Sequence, residues 1–383
     1  MKMLESIRRA QVQGCVPWDR YLKRVMTSTL LLLLFTTPQG MAQTTCPDAN
    51  PNDFVADDAP LQACLNNGGL VLLDPGSPGY ILSQGLVLSR DGTVLRSSQG
   101  SVKATLIAHP DLANDMLQVS DGGVSNYEIA DLIFDGNRDM RPGNCYTNLR
   151  LQGRNFSFHH VDSLRTICGS SVIVLGSNFL IYDNRIVDSG LPADVARDRW
   201  ADGLTVLLCD NGYIHNNLIE DSTDIALVIG GGDCSVQGNT IRQVNKWAFA
   251  GLNVGNFNNN GYHTNSVFQF NTVESNYNML SIGILVGSHP WSTSDAENVW
   301  NAGRVINNVA RGAVINLVVD GIERGEVTGN VMYGAQGDRG LTCAISTDYT
   351  AWHFSFALIQ PGWFPMQYDL GASDYPEPCR PQE

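Results

Sequence analysis

Asparagine returns at a regular place along the chain. Asn184, Asn217, Asn239, Asn271, Asn308 and Asn330 each stand beside a short apolar run, at spacings of 33, 22, 32, 37 and 22 residues. The value of 22 reads as one bare turn of a coil. The excesses of 11, 10 and 15 read as loops at Leu191–Trp200, around Asn256–Asn265 and in His289–Asn301. Runs this close leave no room for the crossover helices of a βαβ fold. A chain that repeats short strands on this period is expected to wind as a solenoid, with rungs stacked about 4.8 Å apart. Asparagine suits its corners, because the short amide tolerates left-handed backbone and stacked amides can bond along the axis. The expected class is therefore all-β, a parallel β-helix whose strands alternate apolar-in and polar-out.

The rest of the chain fits this pattern. Strand-like runs begin after Gly69 at Leu70–Leu73, Tyr80–Leu82, Leu86–Leu88, Thr93–Arg96 and Thr105–Ala108, separated by Pro75-Gly76, Pro78-Gly79 and Asp91-Gly92. Ile129–Phe134 continues the series, and the repeat sharpens at Leu149–Leu151 with Phe156–Phe158 and at Val172–Val174 with Phe179–Tyr182. Residues 43–68 read as an N-terminal cap: Asp57-Asp58-Ala-Pro before Leu61 and Cys64 marks a short helix with acidic residues at its start. A solenoid needs such covers on its end rungs. Residues 69–340 form the solenoid. Residues 341–383, with Trp352, Phe354, Phe356, Trp363, Phe364 and Tyr368, read as a C-terminal cap.

Residues 1–42 read as a targeting segment. Lys23 and Arg24 precede an apolar core at Leu30 to Phe35 and the small residues Gly40 and Ala42, which predicts a secretory signal cleaved near Ala42, with Met26 a candidate start. The core is too short to anchor the chain in a membrane. Export to the periplasm or the exterior also suits the cysteines. Cys15 lies before the apolar core, and the other eight can pair as Cys46–Cys64, Cys145–Cys168, Cys209–Cys234 and Cys343–Cys379. None has zinc-finger spacing, and no metal site is assigned. A formal net charge of −14 argues against nucleic acid or anionic lipid as a partner.

The segment Arg197 to Gly255 carries the chemistry. Leu204 and Val206 follow Asp202-Gly203, Leu227 and Ile229 follow Asp224, and Leu252 and Val254 follow Lys246-Trp247. Three successive turns thus deliver side chains to one outer face. Asp202 and Asp224 are 22 residues apart, whereas the apolar runs match at 23, so both carboxylates share a face only if one lies in a bend. Otherwise they are turn residues at strand starts. Trp200 and Trp247 flank them, with Trp291 and Trp300 in a later loop. Indoles suit the C–H faces of sugar rings, so the expected partner is a polysaccharide.

The rung pattern over residues 65–340 resembles the pectin-lyase-like superfamily, which implies right-handed winding. Ala201-Asp202-Gly203-Leu204 is similar to the Asp-Gly element of polygalacturonase-type and α-1,3-glucanase-type glycoside hydrolases. Ser222-Thr223-Asp224-Ile225-Ala226 resembles their next element, where two adjacent aspartates are usual and where Thr223 stands here in place of the first. Their downstream His-Gly and Arg-Ile-Lys elements are absent, and the corresponding rung reads Phe249-Ala-Gly-Leu. The resemblance implies inverting hydrolysis by aspartates on neighbouring rungs, with Asp202 and Asp224 as two of three and Asp221 or Asp198 as the third. Such a pair needs one protonated and one ionised carboxyl roughly 6.5–9.5 Å apart, and no cofactor.

Arg199, Lys246 and Arg242 leave a second reading open, a lyase or epimerase on a uronic-acid polymer. There a cation neutralises the sugar carboxylate, and Ca²⁺ held by Asp198, Asp202, Asp221 and Asp224 could serve. A non-catalytic glycan-binding or surface protein is the third reading. His159, His160 and His289 are candidate acid–base groups, with the first two at a strand or corner where a structural role is expected.

Overall fold

The computed structural model describes residues 43–333 apart from 45, 142–144, 192–199, 257–261, 277–278, 288–298, 300, 314, 320–321 and 323–324. The expected leader, the C-terminal cap, the Cys343–Cys379 pair, Asp198, Arg199, His289, Trp291 and Trp300 lie outside the described residues.

The chain winds as a right-handed parallel β-helix. Short strands pair in parallel from turn to turn in two sheets, of 18 and 10 strands among the described residues. The register stacks like on like. Leu149, Val172, Leu204, Leu227, Leu252, Ile284 and Leu317 lie over one another. Leu151, Val174, Val206, Ile229, Val254, Val286 and Val319 form a second column. All are buried. At about 1.5–3 kcal/mol for each buried aliphatic side chain, these columns are the main source of stability. In the smaller sheet Ile186, Ile219, Ile241, Val273, Ala310 and Met332 form a corresponding column.

The helix Asp58–Asn67 covers the first rung with Leu61, Cys64 and Leu65. Asp57 does not cap it by side chain. Its carboxylate accepts instead from the Asn50 and Ile81 amides, at 2.8 and 3.0 Å, and so ties the helix start to a strand. Cys46–Cys64, Cys145–Cys168 and Cys209–Cys234 are paired, with Cα separations of 5.8, 5.2 and 5.7 Å. The run Ile129–Phe134 is not one strand. Asp131, at φ 55°, turns a corner between Glu128–Ala130 and Leu132–Asp135.

The asparagines form a buried ladder. The Asn217 side-chain oxygen accepts from the Asn184 backbone and side-chain amides at 3.1 and 2.9 Å. Asn239, Asn271, Asn308 and Asn330 repeat this with their predecessors. Each side-chain amide from Asn184 to Asn330 also donates to a core-strand carbonyl, from Phe158 for Asn184 to Val305 for Asn330. The left-handed corner is not theirs. It falls one residue earlier, on Asp183, Asn216, Gly238, Phe270, Asn307 and Gly329, with φ between 53° and 65°. Asparagine is selected here for its paired donor and acceptor in a dry turn. Asn239→Ala would take the shared acceptor from the Asn217 backbone and side-chain amides and the side-chain donor from the Ile214 carbonyl and Asn271 Oδ1, which keeps the Asn239 backbone amide, and should lower unfolding free energy by about 2 kcal/mol in urea titration. Phe270 is 59% exposed at φ 56°, where a side chain of its bulk is strained. Phe270→Asn is expected to raise stability by about 1 kcal/mol in the same assay.

Apolar-in, polar-out alternation fails in one region. Ile225–Ile229 buries all five residues and Leu280–Val286 all seven. The outward-facing row Val228, Asn253, Leu285 and Val318 is covered as well. Strands buried on both faces read as continuous apolar runs rather than as alternation.

Candidate functional site

Asp202 lies in the strand Ala201–His215 and Asp224 in the bend before the strand Ile225–Ile229. The strand register is 23, because Leu204 pairs with Leu227 and Val206 with Ile229. The bend absorbs the missing residue and brings both aspartates to one edge. The Asp202 carboxylate reaches across to the next rung, where the Ile225 amide donates to its Oδ1 at 3.0 Å. Its Oδ2 accepts from Thr205 Oγ1 at 2.7 Å and, longer, from Ser170 Oγ at 3.4 Å. Ser170 and Thr205 are themselves 2.8 Å apart. Among the described residues, no hydrogen-bond donor reaches the Asp224 carboxylate.

The edge beneath the pair is fully bonded. The amides of Thr223 and Asp224 both donate to the Ala201 carbonyl at 3.1 Å, and the Phe249 amide donates to the Asp224 carbonyl at 2.8 Å. Thr223 is 2% exposed, and its hydroxyl oxygen accepts from the Ala201 amide at 3.0 Å. A β-carbon on Gly190, at φ 78°, would stand 1.9 Å from that oxygen. Thr223 is therefore a buried brace between the two rungs.

The pair is electrostatically strained. Burial raises the Asp202 carboxyl to about 7, with repulsion from Asp224 adding to it, while the Thr205, Ile225 and Ser170 donors act against the rise. Burial likewise raises Asp224, to about 6. Two such acids side by side hold one proton near neutrality, since neither ionises easily beside the other. That supplies one proton donor and one acceptor on a single wall.

Trp200 and Trp247 bracket the pair. Their rings meet edge to face, centroids 6.3 Å apart, although they begin strands two rungs apart with Asp224 on the rung between. The Trp247 indole N–H is buried and finds no acceptor among the described residues.

Two residues named from sequence are engaged elsewhere. The Asp221 carboxylate accepts from the Val244 and Asn245 amides and the Asn245 side chain, at 2.8, 2.9 and 2.8 Å, and so fastens the neighbouring turn. Lys246 pairs with Asp188 and donates to the Gly190 carbonyl at 2.8 Å. Arg138 binds the same groups, donating to Asp188 Oδ2 at 2.8 Å and to the Gly190 carbonyl at 2.7 Å. Burial alone would raise the Asp188 carboxyl, but Lys246 and Arg138 outweigh it and hold it below its ordinary value. This clamp fixes Gly190 against Ala201 and Thr223. Arg242 lies 3.7 Å from Glu220.

Sequence reasoning missed Ser170, Thr205, Asp188 and Arg138. The first could have been found by extending the rung alignment one turn back, since Val172 pairs with Leu204 and Ser170 with Asp202. Arg138 reaches Asp188 across 50 residues with no signal in the spacing.

No family model matches the chain, and comparison by sequence with curated proteins finds no match. Solved structures of similar fold exist. The A-module of the Azotobacter vinelandii mannuronan C-5 epimerase AlgE6 matches with a TM-score of 0.53 and 17% identity, over 78% of this chain and 82% of that one. A tailspike mutant of E. coli bacteriophage HK620, solved with a pentasaccharide, matches at 0.52 and 14%, over 79% of this chain and 60% of the tailspike. The N-terminal fragment of gene product 12 of bacteriophage Phi29 matches at 0.58 and 13%, over 82% and 55%. The chain thus spans about three-fifths or less of the two phage proteins. At these identities the likeness establishes the fold.

Proposed function

We propose that this protein is a glycoside hydrolase acting on a polysaccharide, with Asp202 and Asp224 as the acid–base pair. One observation carries the reading: the Asp202 carboxylate bridges to the Ile225 amide beside Asp224, and both acids are raised toward neutrality by burial. One carboxyl gives its proton to the glycosidic oxygen, and its ionised partner takes a proton from the attacking water. Trp200 and Trp247 supply apolar surface for the ring faces. Asp221 is left out of the machinery because its oxygens serve a turn. Asp198 and Arg199, outside the described residues, stay candidates as third carboxylate and substrate contact. Export to the periplasm or the exterior belongs to the same proposal, and the paired cysteines support it.

Two of the similar folds are a mannuronan C-5 epimerase module and a tailspike in complex with a pentasaccharide, and a uronic-acid lyase or epimerase is the second reading. The structure gives it less support, since Lys246 is bound to Asp188 and is not free to neutralise a sugar carboxylate. Ca²⁺ is called for only on that reading. Incubation of purified protein with a panel of neutral and acidic glycans decides between them. Hydrolysis releases reducing ends without the ultraviolet absorbance of unsaturated uronates. Elimination gives both, epimerisation changes uronate composition without cleavage, and a binder gives none of these.

A further inference from the structure

The outward side of the sheet that carries Asp202 changes character along the solenoid axis. The covered row that begins at Val228 continues in register the other way, through Thr205, Ile173, Arg150 and Gln118. Gln118 is exposed, the Arg150 side chain is 35% exposed and Ile173 is half-buried. From Thr205 the row closes. Thr205 is 6% exposed, Val228 1%, and Asn253, Leu285 and Val318 0%. The acid pair stands at that boundary. Thr205 Oγ1 donates to Asp202 Oδ2 at 2.7 Å, and Val228, its neighbour on the next rung, lies in the strand that follows Asp224.

A second side is closed as well. Where these strands begin, the Trp200 and Trp247 rings meet, with Asp224 on the rung between. A glycan does not open the covered row, since that would return Val228, Leu285 and Val318 to water. The pair is thus reached along the wall from Arg150 and Ile173, and a chain lying there runs out of wall at the rung of Asp224. Arg150 is placed to hold such a chain. Its Nε donates to Asp115 Oδ2 at 2.9 Å, which fixes the guanidinium on the sheet. Among the described residues nothing pairs with its terminal nitrogens. Arg150 stands two rungs, roughly 10 Å, before Thr205, and a guanidinium fork suits paired sugar hydroxyls or a sugar carboxylate.

We propose that the polysaccharide lies only on the Arg150 side of the acid pair, so that the enzyme shortens a chain from one end instead of cutting within it, with Arg150 as the anchor for the polymer. This rests on Asp202 and Asp224 being the reacting pair. His159 and His160 take no part. They are hydrogen-bonded to each other at 2.9 Å, beyond the opposite end of the strand on which Arg150 lies.

The test follows product length on a glycan that the wild-type protein cleaves. Short products of one length should appear from the first turnovers, while the remaining polymer shortens slowly. Arg150→Gln should raise KM for the polymer by about tenfold with kcat little changed. Arg154→Gln, farther along the same strand and bonded to Ser125, should change neither. Circular dichroism establishes that each variant is folded. Rapid collapse of polymer length with products of mixed size overturns the one-sided wall and leaves the hydrolase reading standing. An unchanged KM in Arg150→Gln overturns the placement of the chain. Failure to cleave any glycan of the panel overturns the hydrolase reading and this inference with it.

Discussion

Asp202→Asn is expected to lower glycan turnover by about 10³-fold while leaving the β-helix folded. The amide can still accept from the Ile225 N–H, and the Thr205 hydroxyl can rotate to accept from it, so the local network survives. What is lost is the titrating group. Asp224→Asn should lower turnover comparably, because the pair works as one proton reservoir and either half alone is inert. The readout is turnover number on whichever glycan the wild type cleaves, beside the urea midpoint of each variant. Full activity in both variants would remove the pair from the chemistry.

The second large effect is on stability, and it needs no substrate. Both acids stand above their ordinary carboxyl values in the folded chain, to about 7 for Asp202 and about 6 for Asp224, so between about pH 4 and 7 the folded state holds more protons than the unfolded one. Stability from this pair is therefore full at low pH and falls as pH rises through the folded values. A shift of this size corresponds to something on the order of 3 kcal/mol. His263 acts in the opposite direction. Burial holds its imidazole neutral down to about 4, so its contribution is lost as pH falls below the ordinary histidine value. The difference between wild type and Asp202→Asn isolates the pair. The variant should be the more stable protein at pH 8, with the advantage shrinking toward pH 5. A difference independent of pH would show that the two carboxyls are ordinary solvated acids.

How much of this was legible in the sequence depends on how local the determinant is. The β-helix could be read because a rung is short and its corner chemistry repeats, so Asn217 and Asn239 mark the period directly. The part of asparagine was only half read. Its ladder bonds follow from stacking, but the left-handed angle sits on Asp183 or Gly238, one residue earlier, where any short polar residue or glycine serves. Asp202 and Asp224 stand out in the sequence by their place before apolar runs, and the mismatch of 22 against 23 is absorbed by the bend at Asp224. For Asp221 and Lys246, proximity in sequence does not say where a carboxylate or ammonium points. Asp221 turns to the Val244 amide, and Lys246 to Asp188. The clamp of Arg138 on Gly190 was out of reach, as it joins turns that no local pattern links. Val228, Leu285 and Val318 gave no warning that the outer face is covered, because an apolar residue in a strand looks the same whichever side buries it.

The most direct test is to watch the two carboxyl groups themselves. In protein labelled with ¹³C at the aspartate side-chain carboxyls, signals assigned through Asp202→Asn and Asp224→Asn can be followed from pH 3 to 9. The account predicts that both titrate well above the ordinary aspartate range, in two linked steps, and that Asp224→Asn brings the Asp202 transition down. If both carboxyls titrate near pH 4, each indifferent to loss of the other, no proton is shared on this wall and the proposed chemistry is contradicted.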